Sequence, residues 1–135
     1  MKLVPVLLIA LLVTVTIQVA HTINNGLALT PIMGFNTWNQ FGHHPNETLL
    51  KKTMDNMVKL GLRDIGYKYI LIDDCWALSE RDHDTQRMVP NPDYFPNGMR
   101  HLSNYAHERG LLLGIYTDIG KKTCCYKEEK PGSYE

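Results

Sequence analysis

Two adjacent carboxylates, Asp73 and Asp74, close the apolar run Tyr69-Ile-Leu-Ile72 and are followed at once by Cys75 and Trp76. Acids at the end of a buried strand lose hydration, and that loss is large unless a hydrogen-bond donor or a ligand replaces the water. In open α/β sheets and α/β barrels, ligands collect at the C-terminal ends of parallel strands. Carboxylates beside an aromatic ring suit a neutral sugar, because the acids accept hydroxyl hydrogens and the ring covers a pyranose face. The same pair could instead be strand-end acids satisfied by backbone N–H groups or a nearby Arg, and the dipeptide leaves both readings open.

The elements around this pair follow the hydrophobic pattern. Leu49, Leu50, Thr53, Met54, Met57 and Val58 recur at helical spacing, and Gly61 stops that helix. A strand is expected over Tyr67 to Asp73, too uniformly apolar at Ile70, Leu71 and Ile72 for a sheet with one wet face. The polar segment from Ala77 to Pro96 reads as a long loop. A second helix carries Met99, Leu102, Tyr105 and Ala106 on its inner face and stops at Gly110, and Leu111 to Tyr116 reads as the next buried strand. A short strand is expected earlier, at Pro31 to Phe35. Strands recur about every forty residues with helices between them, which is the pattern of parallel βα units. Each helix ends in Gly-Leu, at Gly61-Leu62 and Gly110-Leu111. That is either a weak internal repeat of equivalent units or the reuse of glycine as a helix stop.

Composition narrows the class. The 135 residues carry 14 basic and 14 acidic side chains, so no basic footprint for nucleic acid stands out. Residues 1–20 begin Met1-Lys2, run apolar from Leu3 to about Val15 and turn mixed toward Ala20, as a signal peptide does, with cleavage expected after Ala20 or after Thr22. An uncleaved membrane anchor is the weaker reading, because the apolar core is shorter than a bilayer span. Secretory entry leads to a secreted or lysosomal location, with no membrane attachment after cleavage, and favours disulfides. Three cysteines, Cys75, Cys124 and Cys125, leave one that is free, joined to another chain or paired beyond Glu135. Asn46-Glu47-Thr48 is a glycosylation sequon, and Asn46 competes for the role of helix N-cap. His43, His44 and Cys75 could approach a metal, but a zinc site wants three or four ligands and a fourth is not in view, so no metal and no cofactor is expected.

Asn25-Gly-Leu-Ala28, Thr30-Pro-Ile-Met-Gly34, Trp38-Asn39, Gly66-Tyr67, Ile72-Asp-Asp-Cys-Trp76, Phe95-Pro-Asn-Gly98, Gly110-Leu111 and Gly114-Ile-Tyr116 together resemble the start of glycoside hydrolase family 27, the α-galactosidases and α-N-acetylgalactosaminidases. The resemblance runs from residue 23 to residue 135 and implies an α/β fold, the first three βα units of a (β/α)8 TIM barrel. By resemblance Trp38 packs on the sugar, Asp73 and Asp74 accept hydrogen bonds from galactose hydroxyls, and Tyr116 lines the same pocket. The substrate implied is a terminal α-linked galactoside cleaved with retention, and a homodimer is open for the full-length form. A retaining glycosidase needs a nucleophile and an acid/base about 5 Å apart. In the family both lie on later strands, so no catalytic residue is assigned here, and the chain alone is expected to be inactive. A non-catalytic galactose-binding remnant is the alternative.

The resemblance also bears on the cysteines and on stability. The family has a cysteine where this chain has His43, and that cysteine bridges to the one matching Cys75. Cys75 is therefore expected to be a free thiol near His43, joined to neither Cys124 nor Cys125. The partner of Cys124 is expected beyond the chain end, and Cys125 has no counterpart. Ile70, Ile72, Leu111, Leu113 and Ile115 would serve both faces of a sheet with only two helices, so part of that apolar surface is expected to stay wet and the isolated chain to fold poorly.

Overall fold

A computed structural model describes residues 25, 26 and 29–125, which excludes the expected signal peptide at 1–20. The chain divides at Thr30 into two units, and the second, beginning at Pro31, carries every element described below. In chain order these are β1 (Gly34–Asn36), α1 (Trp38–Phe41), α2 (Glu47–Lys59), β2 (Tyr69–Ile72), β3 (Ala77–Arg81), β4 (Met88–Pro90), α3 (Gly98–His107) and β5 (Leu112–Ile115). Among the described residues no helix is long and apolar enough to cross a membrane.

The sheet order is β1-β2-β5, all parallel, with Gly34 opposite Tyr69 and Tyr69 opposite Leu112. Both connections carry a helix, as the alternation of patterns requires. Strand β1 lies later than the expected 31–35. Pro31 has no N–H to give a ladder, and pairing starts where the Met33 carbonyl accepts from Lys68 and Tyr69 N–H at 3.0 and 3.2 Å.

Helix α2 starts as its residues dictate: the Asn46 side chain accepts from Leu49 N–H at 3.0 Å, while Leu50, Met54 and Met57 face inward. They meet Ile70 and Ile72 of β2 and Leu102 and Ala106 of α3 in one apolar cluster. Both helices stop in the same way. Leu62 N–H reaches Met57 O at 2.9 Å and Leu111 N–H reaches Ala106 O at 3.0 Å, across Gly61 and Gly110 at φ 73° and 68°. These are Schellman caps, in which glycine takes the left-handed position without a Cβ penalty, so the repeated Gly-Leu is accounted for as a helix stop. Glu47, buried at the start of α2, accepts from Asn97 N–H and Nδ2 and from Lys51 Nζ, which ties α2 to the start of α3. Burial alone would raise its pKa, but these donors win and hold the carboxyl below its ordinary value.

The cap and the sequon on Asn46 are compatible, because the cap uses Oδ1 and a glycan would be carried by Nδ2. Asn46→Asp should therefore keep α2 intact while removing any glycan. Asn46→Ala should remove both and lower stability by about 1 kcal/mol, readable as a shift in thermal melting.

The segment 77–96 is not a simple loop. It contains the antiparallel hairpin β3–β4, closed by a turn in which Asp82 Oδ1 accepts from Thr85 N–H at 2.8 Å and Thr85 Oγ1 at 2.6 Å. Ala77 is buried and Met88 packs on the core, while Ser79 and Glu80 face out. The polar outer face hid the strand pattern. Of the five apolar residues expected to serve two faces, Ile70, Ile72 and Leu111 are buried at 0 to 1%, Leu113 is half-buried and Ile115 is 43% exposed. Of these five the wet one thus lies on β5, where Leu112 is also exposed, at 44%.

Candidate functional site

Because β1, β2 and β5 run parallel, the residues that follow them emerge at one end of the sheet. Those residues are Thr37 and Trp38 after β1, Asp73 to Trp76 after β2, and Tyr116 after β5. All four residues singled out by sequence for sugar contact, Trp38, Asp73, Asp74 and Tyr116, are thus brought to the same end. The strand ends are stitched together beyond the ladder. Thr37 N–H donates to Leu71 O at 3.1 Å, Asp73 N–H to Thr37 Oγ1 at 2.9 Å, and Tyr116 N–H to Ile72 O at 2.8 Å. The Trp76 indole N–H reaches back to Tyr116 O at 2.8 Å, so the ring is buried and locks β2 to β5.

The acids are held with defined geometry. Asp73 Oδ2 accepts from Asn36 Nδ2 at 2.7 Å, and its Oδ1 accepts from Asp74 N–H at 2.8 Å. Asp74 is 5% exposed, and its Oδ1 takes both Cys75 N–H at 2.7 Å and Thr123 Oγ1 at 2.8 Å. No Arg is needed: the donors are backbone N–H groups, an amide and a hydroxyl. Cys75 itself sits at φ 71°, a left-handed conformation that costs a non-glycine residue about 1–3 kcal/mol and persists only where neighbours enforce it. Here the enforcing contacts include the Asp74 carboxylate on its N–H.

Trp38 opens helix α1 and is 39% exposed, with its ring edge-on to the His43 imidazole at 5.0 Å. Its backbone N–H donates to Asn36 Oδ1 at 2.8 Å, so Asn36 orients Trp38 through one side-chain atom and Asp73 through the other. Tyr116 is half-buried. Burial first, then the neighbouring carboxylates of Asp118, Asp74 and Asp73, push its pKa up from the ordinary phenol value. Sequence reasoning missed Asn36, Thr37 and Thr123. The first two precede Trp38 directly and could have been sought there, whereas Thr123 lies 49 residues from Asp74 with no local pattern to mark it.

The cysteine expectation is overturned. Cys75 is not a free thiol: it forms a disulfide with Cys125, with Cα atoms 5.2 Å apart. The chain after β5 folds back far enough for Thr123 to bond Asp74, and Cys125 follows two residues later. That return is invisible in the sequence. His43 does lie beside Cys75, with Nδ1 3.4 Å from Sγ, and Cys124 is an exposed free thiol among the described residues. The grouping of His43 with His44 is not realised, since His44 Nδ1 turns to the Tyr94 hydroxyl at 3.1 Å.

Paired acids and aromatics thus stand together at the C-terminal strand ends of a parallel α/β sheet, the end at which such sheets place ligands. Residues 30–135 match the family Melibiase_2, described as alpha galactosidase A, and the chain belongs to that family. The chain is 50% identical over 111 residues to Alpha-galactosidase 3 of Arabidopsis thaliana, covering 82% of this chain and 24% of that protein. With Alpha-galactosidase 2 of the same plant the identity is 53% over 110 residues, covering 82% and 27%. The alfa-galactosidase structure from Saccharomyces cerevisiae with raffinose superposes with a TM-score of 0.75 at 45% identity, over 81% of this chain and 23% of that one. The chain spans about a quarter of the length of these relatives.

Proposed function

We propose that residues 30–135 supply the first three βα units of a (β/α)8 barrel in an enzyme that removes terminal α-linked galactose from oligosaccharides, glycolipids or glycoproteins with retention of configuration. Trp38 offers its exposed ring to the sugar face, Asp73 and Asp74 accept hydroxyl hydrogens, and Tyr116 donates from the opposite strand. The observation that carries this reading is Asp74. It is a buried carboxylate at the end of the central strand, both of whose protein hydrogen bonds fall on Oδ1, leaving Oδ2 for a ligand among the described residues. The nucleophile and the acid/base are assigned to neither Asp73 nor Asp74, because both act here as acceptors fixed by their neighbours. Delivery through the secretory pathway, to the cell exterior or the lysosome, belongs to the same proposal.

The test is a chimaera in which residues 30–135 replace the matching segment of the Arabidopsis thaliana Alpha-galactosidase 2. The chimaera should hydrolyse an α-galactoside with retention, followed by NMR of the released anomer, while the 135-residue chain alone should show no turnover. A folded chimaera without activity, or turnover by the isolated chain, would sink the assignment. Galactose binding by the isolated chain without turnover would favour a binding module instead.

A further inference from the structure

His43, Cys75 and Cys125 bring three metal-ligating side chains together. A ring nitrogen of His43 and the two Sγ atoms all lie within 4.8 Å of one another, with both cysteines buried and His43 half-buried. In a tetrahedral zinc site, bonds of about 2.3 Å to sulfur and about 2.0–2.1 Å to nitrogen put N and S ligand atoms roughly 3.5 Å apart and two sulfurs roughly 3.8 Å apart. The 3.4 Å between His43 Nδ1 and Cys75 Sγ already meets the first spacing. The second applies only once the disulfide between Cys75 and Cys125 is reduced, which frees both sulfurs as ligands.

We propose that the reduced form of this cluster binds a thiophilic divalent cation of the zinc class, so that disulfide and metal are alternative occupants of the same three side chains. Contacts other than the disulfide hold the two loops in place. Cys125 N–H donates to Thr123 Oγ1 at 3.4 Å, Thr123 Oγ1 donates to Asp74 Oδ1, and Asp74 Oδ1 accepts from Cys75 N–H. The Trp38 ring stands against the imidazole. Burial of both sulfurs excludes water from two of the ligands, and three protein ligands leave one coordination position open. A dithiol reductant supplies two electrons and two protons to the disulfide and becomes a cyclic disulfide itself, leaving two thiols. The cation then displaces both thiol protons to the buffer, forming two metal–sulfur bonds and one bond to the neutral Nδ1.

The 135-residue chain would be titrated with cobalt(II), then zinc(II), before reduction and after reduction with dithiothreitol followed by anaerobic removal of the reductant. Oxidised chain should give no tetrahedral cobalt spectrum, and reduced chain should bind one equivalent with thiolate charge-transfer absorption. His43→Ala and Cys125→Ser should each weaken binding by at least about tenfold, the scale on which even outer-shell partners matter, and Cys124→Ser should leave it unchanged. Three results would overturn the proposal. They are the absence of a tetrahedral spectrum after reduction, peptide mapping that finds Cys75 not bonded to Cys125 in the oxidised chain, and binding that survives His43→Ala but is lost in Cys124→Ser. The last would place the metal on the neighbouring cysteine pair of a chain that lacks this geometry.

Discussion

In the chimaera carrying residues 30–135, Asp73→Asn and Asp74→Asn should each lower kcat/KM for an α-galactoside by about ten- to a hundredfold. A hydrogen bond to a charged acceptor contributes roughly 1.5–3 kcal/mol, and its loss in the transition state appears directly in the specificity constant. The two variants should differ in stability. Asp73 uses one oxygen for Asn36 Nδ2 and the other for Asp74 N–H, so an amide replaces one acceptor with an NH2 facing a donor. Asp73→Asn should therefore also lower the melting temperature, by the equivalent of about 1–3 kcal/mol for an unsatisfied polar group. Asp74→Asn can keep its oxygen toward Cys75 N–H and Thr123 and should melt near the parent. Specificity constants equal to the parent's in both variants would show that these acids do not hold the substrate.

Much of this arrangement was legible in the sequence because it is local. The period of Leu50, Met54 and Met57, the capping Asn46 and the apolar run ending at Asp73 each specify one element, and parallel pairing then brings the strand ends together. That logic placed Trp38, Asp73, Asp74 and Tyr116 at one end of the sheet without any long-range information. What sequence could not give were contacts made by chain return. The bond from Thr123 to Asp74 and the Cys75–Cys125 disulfide depend on where an irregular segment after β5 travels, and no periodicity governs that path. Family resemblance failed at the same point, because it assigned Cys75 a partner at a position this chain fills with His43. The hairpin β3–β4 was hidden for another reason. Its outward residues Ser79 and Glu80 are polar, and its turn is built by Asp82 and Thr85 rather than by the Asn-Gly or Asp-Gly pairs that announce a tight hairpin.

Gly34→Ala in the same chimaera should destabilise the fold severely. A Cβ at Gly34 would lie 2.2 Å from the Tyr69 carbonyl oxygen and 2.7 Å from Tyr69 Cβ, inside any tolerable contact. The obstacle is backbone, so no rotamer change relieves it. Relief requires β1 to move away from β2, and Gly34 faces Tyr69 at the first register position of that ladder. Displacing β1 would carry with it Asn36, which holds both Asp73 and the Trp38 backbone, and Thr37, whose hydroxyl receives Asp73 N–H. Overpacking a well-packed interior costs typically about 1–3 kcal/mol, and a clash with main chain belongs at or beyond the top of that range, a large share of the roughly 5–15 kcal/mol that separates folded from unfolded domains. Gly114→Ala makes the control. Its nearest neighbour is the Leu71 Cδ2 methyl at 2.6 Å, the end of a side chain that can turn aside. Soluble yield and protease resistance should fall sharply for Gly34→Ala and only modestly for Gly114→Ala. Equal behaviour of the two variants would mean that β1 does not pair with β2 in the register described.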